Sequence, residues 1–195
     1  MDAREALLDI ILRRSYLRAE AGTPFRLASG RLSDYYIECS LTTTFHAAIP
    51  HIGALVHACV PAAAVAIGGP TMGADPIAAA VAAFSTATRQ PLSWFSVRKA
   101  AKEHGARRWL EGSVQTGDSV VLVEDVVTSG GSLIEALRKC GEEGLKVVRG
   151  VVLVDRQEDN GLARVEEAFR GVGAGFDALY TRAQLEAAWQ ARRGA

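Results

Sequence analysis

The 195-residue sequence predicts an α/β fold in which a parallel β-sheet carries helices on both faces. Short apolar segments rich in β-branched residues, such as 120–123, are typical of parallel strands that are buried on both faces. These segments alternate with segments of helical periodicity, and that order predicts right-handed βαβ units. The length fits a single domain over 1–195, and apolar residues make up 49% of the chain, which is enough for a sizeable core.

Local patterns predict the elements in order. Ala3–Arg14 is expected to form an amphipathic helix, because Leu7, Ile10 and Ile11 share one stripe. Segment 25–38 predicts a hairpin around a Ser-Gly turn. Further helices are expected at 47–60, from about 77, and at 134–140, 160–169 and 182–192, and strands at 62–67, 92–97, 120–123, 146–154 and 176–180. The sequence shows no internal repeat, low-complexity tract or linker.

Composition limits the classes of partner and the compartment. Lys plus Arg and Asp plus Glu both total 22, so no net charge favours binding to nucleic acid or to an anionic membrane. Cys39, Cys59 and Cys140 are few and far apart, which argues against a disulfide framework or a zinc site and fits a reducing cytosol. Neither a charged-then-apolar leader nor a run of about 18 apolar residues is present. We therefore expect a cytoplasmic protein whose partners include neither nucleic acid nor a membrane.

Three histidines, His46, His51 and His57, lie within or beside the predicted helix 47–60 and raise the question of a metal site. No two of them have the i, i+3 or i+4 spacing that would bring both to one ion from one helix face. We interpret them as surface histidines or as structural histidines with hydrogen-bond partners.

The stretch 120–133 combines features that suit a sugar phosphate. The strand 120–123 is followed by Glu124 and Asp125, and ligands of open α/β sheets bind at the carboxyl ends of the strands. Segment 128–132 then supplies three hydroxyls and several backbone N–H groups before a helix, an arrangement that binds phosphate. Taken separately, the acids could be a solvated turn and the hydroxyls a helix cap. Together, acids for a polyol and donors for a phosphate predict a ribose 5-phosphate site.

Two other segments have both an ordinary and a functional interpretation. The glycine-rich segment 68–76 is either a plain strand-to-helix turn or a loop whose backbone approaches a ligand closely; it is not a P-loop, because no Gly-Lys-Ser/Thr follows. Segment 98–112 holds five Lys or Arg residues, one histidine and two acids. Such a run is usually a solvated helix face. Its bounding glycines and its position between two strands favour an excursion at a sheet edge instead.

Arg156 follows the strand 146–154 and is either a surface ion pair or an anion ligand. Its planar guanidinium can bind a carboxylate through two hydrogen bonds. The neighbouring tyrosines Tyr35 and Tyr36 are likewise either core residues of the hairpin or part of a binding site.

Four separated parts of the chain resemble the type I phosphoribosyltransferases. Segment 120–133 resembles their signature for phosphoribosyl pyrophosphate (PRPP), and segment 68–76 resembles their pyrophosphate loop. Phe-x-Leu-x-Ser-Gly-x-x-Ser-x-Tyr-Tyr from Phe25 is similar to the N-terminal segment of orotate phosphoribosyltransferases. Arg-Lys-x-x-Lys-x-His-Gly from Arg98 is similar to the catalytic loop that distinguishes that family, and Asp-Arg-Gln-Glu at 155–158 also matches it.

The resemblance implies transfer of the phosphoribosyl group of PRPP to orotate, which yields orotidine 5′-monophosphate and pyrophosphate on the route to UMP. It also implies a small N-terminal hood formed mainly by 1–40, Mg²⁺ bound mainly through PRPP without direct protein ligands, and a homodimer that shares the basic loop 98–112 across subunits. The implied catalytic residues are Lys102, Glu124 and Asp125. The implied PRPP-binding residues are Met72, Gly73, Arg98, Lys99, Lys102, His104, Glu124, Asp125, Val126, Val127, Thr128, Ser129, Gly130, Gly131 and Ser132. The implied orotate-binding residues are Tyr35, Tyr36, Thr128 and Arg156.

Three positions depart from the family pattern. Ala28 and Gly73 stand where many or some members carry lysine, and Glu124 stands where the first acid is more commonly Asp. Two alternatives stay open. A phosphoribosyltransferase for a purine or uracil would share the PRPP signature but should lack the basic loop. A PRPP-sensing regulator without enzymatic activity would be expected to carry an added DNA-binding segment with a basic face.

Overall fold

The structure, a computed structural model, describes residues 2–20, 23–26, 30, 32–101 and 109–193. The described helices are α1 (Ala3–Arg14), α2 (Ser40–Thr43), α3 (Ile49–His57), α4 (Asp75–Ser85), α5 (Gly131–Glu142), α6 (Gly161–Gly171) and α7 (Arg182–Arg193). The described strands are β1 (Tyr16–Arg18), β2 (Phe25–Arg26), β3 (Leu32–Ser33), β4 (Tyr35–Ile37), β5 (Ala66–Pro70), β6 (Ser93–Val97), β7 (Leu110–Gly112), β8 (Ser119–Val127), β9 (Lys146–Asp155) and β10 (Gly175–Thr181). No helix in these ranges is both long enough and apolar enough to cross a membrane.

The central sheet arranges its strands in the order β10-β9-β8-β5-β6-β7. Neighbouring strands are parallel, except that β7 pairs with β6 in the antiparallel direction. The chain passes from β8 through α5 to β9 on one side and from β5 through α4 to β6 on the other. The winding direction therefore reverses between β5 and β8, the position at which open α/β sheets bind ligands. The predicted α/β class is confirmed.

Apolar side chains cover both faces of the sheet, which explains the near-continuous apolar strands. Val121 and Val123 of β8 face a core that includes residues of α1, α3, α4 and α7. Val120 and Leu122 face a second core that includes residues of α5 and α6. Because side chains alternate along a strand, a strand buried on both faces needs apolar residues at every position.

β4 and the residues after it lie at the carboxyl edge of the sheet, where Tyr35 contacts Glu158 and Cys39 contacts Asp125. β2 pairs with β3 in the antiparallel direction on either side of the Ser-Gly turn, so the predicted hairpin is confirmed, while β4 of the same segment pairs with β1. The ring of Tyr16 stacks on that of Tyr35 at 5.9 Å between centroids. Arg18 forms an ion pair with Glu186 of α7 at 2.7 Å, which ties this N-terminal region to the last described helix.

Several predicted boundaries were wrong. β8 continues to Val127, so Glu124 and Asp125 lie within the strand and not beyond its end. β5 begins at Ala66, later than the predicted strand 62–67, and continues through two glycines to Pro70, into the segment 68–76 that was predicted as a turn. The backbones of β5 and β6 are close here, since a Cβ atom at Gly68 would lie 2.2 Å from the carbonyl oxygen of Phe95. The three-residue strand β7, at the end of the basic segment, was not predicted.

Candidate active site at the carboxyl edge of β8

A crevice begins where β5 and β8 stop pairing. Their last paired residues are Gly68 and Leu122, whereas β9 stays paired with β8 as far as Val127. Glu124 and Asp125 follow after one further residue, Val123, so β9 is the one strand that pairs with this part of β8 in the described sheet. The sequence-based prediction that the two acids face a crevice is thus consistent with the strand register, although the strand does not end there.

Glu124 is a buried carboxylate that faces the helix N-terminus. Its side chain accepts hydrogen bonds from the Oγ atom of Ser132, at 2.9 Å to Oε1 and 2.8 Å to Oε2, and the residue is 8% exposed. The pKa of Glu124 is raised to about 7, mainly by burial, with the hydrogen bond from Ser132 and the charge of Lys99 opposing that shift and the charge of Asp125 adding to it. An added cationic ligand would favour the ionised form.

Asp125 lies on the other side of the strand, beneath the loop that follows β5. Burial also raises its pKa, and the backbone N–H groups of Val126 and of Asp125 itself oppose that shift. A Cβ atom at Gly73 would lie 2.8 Å from Oδ1 of Asp125, so glycine allows this close approach. The thiol of Cys39 donates to the backbone carbonyl of Asp125 at 3.7 Å, which brings the N-terminal region against the acid.

A glycine in a left-handed conformation and contacts with α6 fix the backbone of the turn at 128–132. Gly130 has φ +76°, a left-handed conformation that glycine adopts without strain, and α5 begins at the next residue. The turn packs closely on the start of α6, because a Cβ atom at Gly161 would lie 2.0 Å from the carbonyl oxygen of Thr128. Arg164 donates to the carbonyl oxygen of Ser129 at 3.1 Å. The unpaired N–H groups at the start of α5 can therefore face a phosphate from a fixed backbone.

Val126 and Val127, predicted in contact with PRPP, have side chains in the cores. Val127 is 1% exposed, and Val126 packs against the core that includes α1. The carbonyl oxygen of Val127 accepts a hydrogen bond from the backbone N–H of Arg156 at 3.0 Å. The side chain of Val127 therefore lies in the core, and contact of Val126 and Val127 with PRPP stays a prediction.

Arg98 and Lys99 line a pocket of about 370 Å³ beside the turn, together with Gly131 and Ser132 at the start of α5. Arg98 pairs with Glu111 of β7 at 2.6 Å between Nη1 and Oε1. Lys99 lies near enough to lower the pKa of Glu124.

The predicted residues Lys102 and His104 lie outside the described residues, as does Ala28. Met72, from the loop after β5, is 80% exposed.

Arg156 lies at the end of β9 in a buried aromatic and acidic environment. It is 8% exposed, and Nη2 pairs with Oε1 of Glu158 at 3.2 Å. The hydroxyl of Tyr35 donates to the same carboxylate, and the guanidinium carbon of Arg156 lies 5.9 Å from the centre of the Tyr35 ring. Its Nε atom is buried and has no hydrogen-bond partner among the described residues. A buried guanidinium with unused donor capacity is suited to a planar anion.

The two predicted tyrosines separate in the structure. Tyr35 faces Arg156, whereas Tyr36 points to the other face of the short strand β4 and packs against Phe25 at 5.8 Å. Sequence reasoning missed Glu158 and Arg182, whose guanidinium lies 5.6 Å from the centre of the Tyr35 ring. The alternation of side chains along a strand is the signal that separates adjacent tyrosines, and Glu158 was visible in the segment 155–158.

The donor set at this edge suits a metal ion that arrives with a ligand. Among the described residues, no group of three or more His, Cys, Asp or Glu side chains is arranged to hold an ion. The carboxylates of Glu124 and Asp125 are hard oxygen donors, and Mg²⁺ in phosphate-transfer sites is commonly held by one or two carboxylates plus substrate phosphates. These residues are therefore compatible with Mg²⁺ carried on a diphosphate.

Comparisons with known proteins agree with this geometry. The family model for the phosphoribosyl transferase domain matches residues 53–167. An orotate phosphoribosyltransferase from Aquifex aeolicus is 40% identical over 156 residues, which cover 80% of this chain and 85% of that protein. One from Rhodopseudomonas palustris is 37% identical over 188 residues, which cover 94% of this chain and 96% of that protein. The crystal structure of Mycobacterium tuberculosis H37Rv orotate phosphoribosyltransferase in complex with PRPP has a TM-score of 0.73 at 30% identity and covers 95% of this chain and 99% of that chain.

Proposed function

The chain belongs to the orotate phosphoribosyltransferase family, and we propose that it performs the transfer at the carboxyl edge of β8. The reaction joins N1 of orotate to the anomeric carbon of PRPP and releases pyrophosphate, which yields orotidine 5′-monophosphate for pyrimidine synthesis. The observation that carries the assignment of the site is the contiguous set of Glu124, Asp125 and the 128–132 turn at the switch point between β5 and β8.

The acids act on the sugar. As the glycosidic bond opens, positive charge develops on the ribose, and carboxylates that accept hydrogen bonds from its hydroxyls stabilise that charge. Glu124 and Asp125 take this role. Burial favours the neutral form of Glu124, and the cationic groups around the bound diphosphate favour its ionised form and hence its electrostatic effect.

The turn holds the end of the sugar that does not react. Backbone N–H groups of Thr128, Ser129, Gly130 and Gly131, with the hydroxyl of Ser132, bind the 5′-phosphate at the positive end of the α5 dipole. This binding energy positions the anomeric carbon relative to orotate, which is how contacts remote from the reacting bond contribute to rate.

The diphosphate is bound by cationic side chains and by backbone. Arg98 and Lys99 line the adjacent pocket, and Lys102 and His104 of the same basic segment complete the set, with Lys102 as the catalytic cation. Backbone at Met72 and Gly73 contacts the diphosphate from the loop after β5. Mg²⁺ bound on PRPP supplies neutralisation of the leaving group's negative charge.

Orotate is bound by Arg156, Thr128 and Tyr35, whereas Tyr36 packs against Phe25 on the other face of β4. The guanidinium of Arg156 binds the orotate carboxylate, since its planar pair of donors matches a carboxylate. In the structure Nη2 of Arg156 pairs with the carboxylate of Glu158, so the orotate carboxylate competes with Glu158 for this guanidinium.

The active unit is a homodimer in which the basic loop 98–112 serves the neighbouring subunit. A Lys102→Ala chain and an Asp125→Asn chain should each be nearly inactive. Mixed heterodimers should recover activity, because one of their two sites then holds both native residues. Verified heterodimers that remain inactive would argue that the loop acts within its own subunit.

Each chain is a single phosphoribosyltransferase domain over 1–195, with the hood formed mainly by 1–40. A cytoplasmic location suits an enzyme with three free cysteines, two of which, Cys39 and Cys140, are buried.

A direct assay tests the assignment. Loss of orotate absorbance should require the enzyme, PRPP and Mg²⁺ together, and uracil or adenine in place of orotate should consume little PRPP. The Asp125→Asn variant serves as the inactive control. Faster consumption of PRPP with uracil or adenine than with orotate would assign the chain to another base, and no consumption with any base would refute the enzymatic function.

A further inference from the structure

Lys139 is a buried cation outside the residues assigned to the reaction. It lies on α5, two turns after the 128–132 turn, and it is 4% exposed. Its Nζ atom donates to the backbone carbonyl oxygens of Arg98 at 2.9 Å and Lys99 at 3.1 Å. The side chain thus holds the backbone of the two residues that begin the basic segment.

Lys139 and Glu143 also contact Trp109, near the end of the basic segment 98–112. The Nζ atom of Lys139 lies 4.3 Å from the centre of the Trp109 ring, within the range of a cation–π interaction. The backbone N–H of Trp109 donates to Oε1 of Glu143 at 3.1 Å, and its carbonyl oxygen accepts from the N–H of Arg98 at 2.8 Å. We call Arg98, Lys99 and Trp109 the stem of the basic segment, and α5 contacts every part of it.

This arrangement is poorly explained by stability alone. A buried ammonium group pays a large desolvation cost, and an apolar side chain of similar volume is often equally stable in such a place. Lys139 has no acid to itself, because its ion-pair partner Glu135, at 3.7 Å, also pairs with Arg138 at 2.5 Å. What an apolar residue cannot supply is a donor for two backbone carbonyls at once, and that property sets the position of Arg98 and Lys99.

We propose that Lys139 is a positioning residue that fixes the stem of the basic segment relative to the phosphate-binding turn. The inference rests on the proposed function of Arg98 and Lys99 as diphosphate ligands. Gly131 and Lys139 belong to one helix, about 12 Å apart along its axis. A single rigid element therefore fixes both the donors for the 5′-phosphate and the backbone that carries the cations for the diphosphate.

The first test is kinetic and uses Lys139→Met, which keeps the length of the side chain and removes its donors. We expect kcat/KM for PRPP to fall about tenfold or more, because Arg98 and Lys99 are then less well positioned for the diphosphate. KM for orotate should change less than about twofold. Lys146→Met is the matched control, since Lys146 is exposed at the start of β9, and it should keep wild-type kinetics. The thermal unfolding midpoint of Lys139→Met should stay close to that of the wild type.

A second measurement does not depend on activity. Hydrogen exchange of peptides that cover 93–101 should become about tenfold faster in Lys139→Met, because the amide of Arg98 bonds to Trp109 within the stem. Peptides of β9 should exchange as in the wild type. Unchanged exchange at the stem would overturn the anchoring role, and faster exchange with wild-type kinetics for PRPP would overturn the positioning role. If the wild type fails to consume orotate, the proposed function is refuted, while the exchange data still decide whether Lys139 holds the stem.

Discussion

The two sides of the candidate site are built differently. The side that is proposed to hold the sugar phosphate comes from one contiguous stretch, from Glu124 in β8 to Ser132 in α5. The side that is proposed to hold the base joins distant parts of the chain, with Tyr35 from β4 and Arg156 and Glu158 from the end of β9. A contiguous stretch keeps its geometry through local backbone structure, whereas the base side depends on the docking of the N-terminal region.

The electrostatics of the two sides also differ. On the sugar side, burial raises the pKa of both Glu124 and Asp125, so these acids lack a cationic partner strong enough to offset burial. On the base side, Arg156 already has a carboxylate partner in Glu158. The sugar side therefore gains most from a cationic ligand, and the base side exchanges one carboxylate for another. Substitutions on the two sides should consequently affect different kinetic constants.

The largest effect is expected from Asp125→Asn on the sugar side. The substitution keeps the shape of the side chain and removes the charge that is proposed to stabilise the developing positive ribose, so kcat should fall about 10²- to 10³-fold. KM for orotate should change little, and steady-state kinetics with each substrate varied in turn will separate the two constants. Glu167→Gln, an exposed acid on α6, is the control and should match the wild type. A variant that loses orotate affinity instead would erase the distinction between the two sides.

The next effect concerns the pH dependence of stability and tests the buried state of Glu124. Its pKa is about 7 when folded, against 4.5 for an unperturbed Glu, so the folded state binds more protons than the unfolded state between these values. The stabilisation is complete below about pH 4.5 and is lost as pH rises through 7, with a total of about 3 kcal/mol. Denaturant unfolding without PRPP should show this decline in the wild type and a smaller one in Glu124→Gln, because burial also raises the pKa of Asp125, which contributes in the same direction.

Glu135→Gln is the control for that measurement. Glu135 lies on the exposed face of α5, where Arg138 lowers its pKa to about 2, so this group is ionised throughout the range from pH 5 to 8. Its removal should leave the decline in place. An equal decline in wild type and Glu124→Gln would mean that another group is responsible.

On the base side, Arg156→Lys should raise KM for orotate about 10- to 30-fold. The charge stays, but the planar pair of donors that matches a carboxylate is lost. KM for PRPP should change less than about threefold. Arg170→Lys, at an exposed position on α6, should leave both constants unchanged. A similar rise in KM for both substrates would indicate that Arg156 acts through the fold and not through orotate.

The smallest effect, about five- to tenfold in kcat/KM for PRPP, is expected from Gly73→Ala. The added methyl group would lie 2.8 Å from Oδ1 of Asp125 and must displace that carboxylate or the loop. Gly141→Ala in α5 is the matched control, because a Cβ atom there meets nothing within 4 Å and alanine has the higher helix propensity. Gly73→Ala with wild-type kinetics would show that the position of Asp125 tolerates such a shift.

The same contrast explains what could be predicted from the sequence. The acids and the turn could be predicted as a candidate site because strand, carboxylates, glycines and helix follow one another without interruption. The strand bounds around Glu124 were wrong, since the pattern of apolar residues stops at Val123 while pairing with β9 continues. β5 was shifted because glycines usually mark turns, whereas here Gly68 allows the close approach of β6.

The rest depends on tertiary contacts that have no local signal. The separation of Tyr35 from Tyr36 follows from strand alternation, but the contact of Tyr35 with Glu158 joins residues that are 123 positions apart. Lys139 has the charge of a surface residue, and its burial depends on the carbonyl groups of Arg98 and Lys99, which are about 40 positions away. Hydrogen-bond partners of this kind cannot be found from periodicity.

A crystal structure of the enzyme with PRPP and Mg²⁺ would show where the sugar phosphate binds. We expect the 5′-phosphate on the backbone N–H groups of the 128–132 turn and the ribose hydroxyls on Glu124 and Asp125. PRPP bound at a different edge of the sheet, with this turn empty, would contradict this expectation.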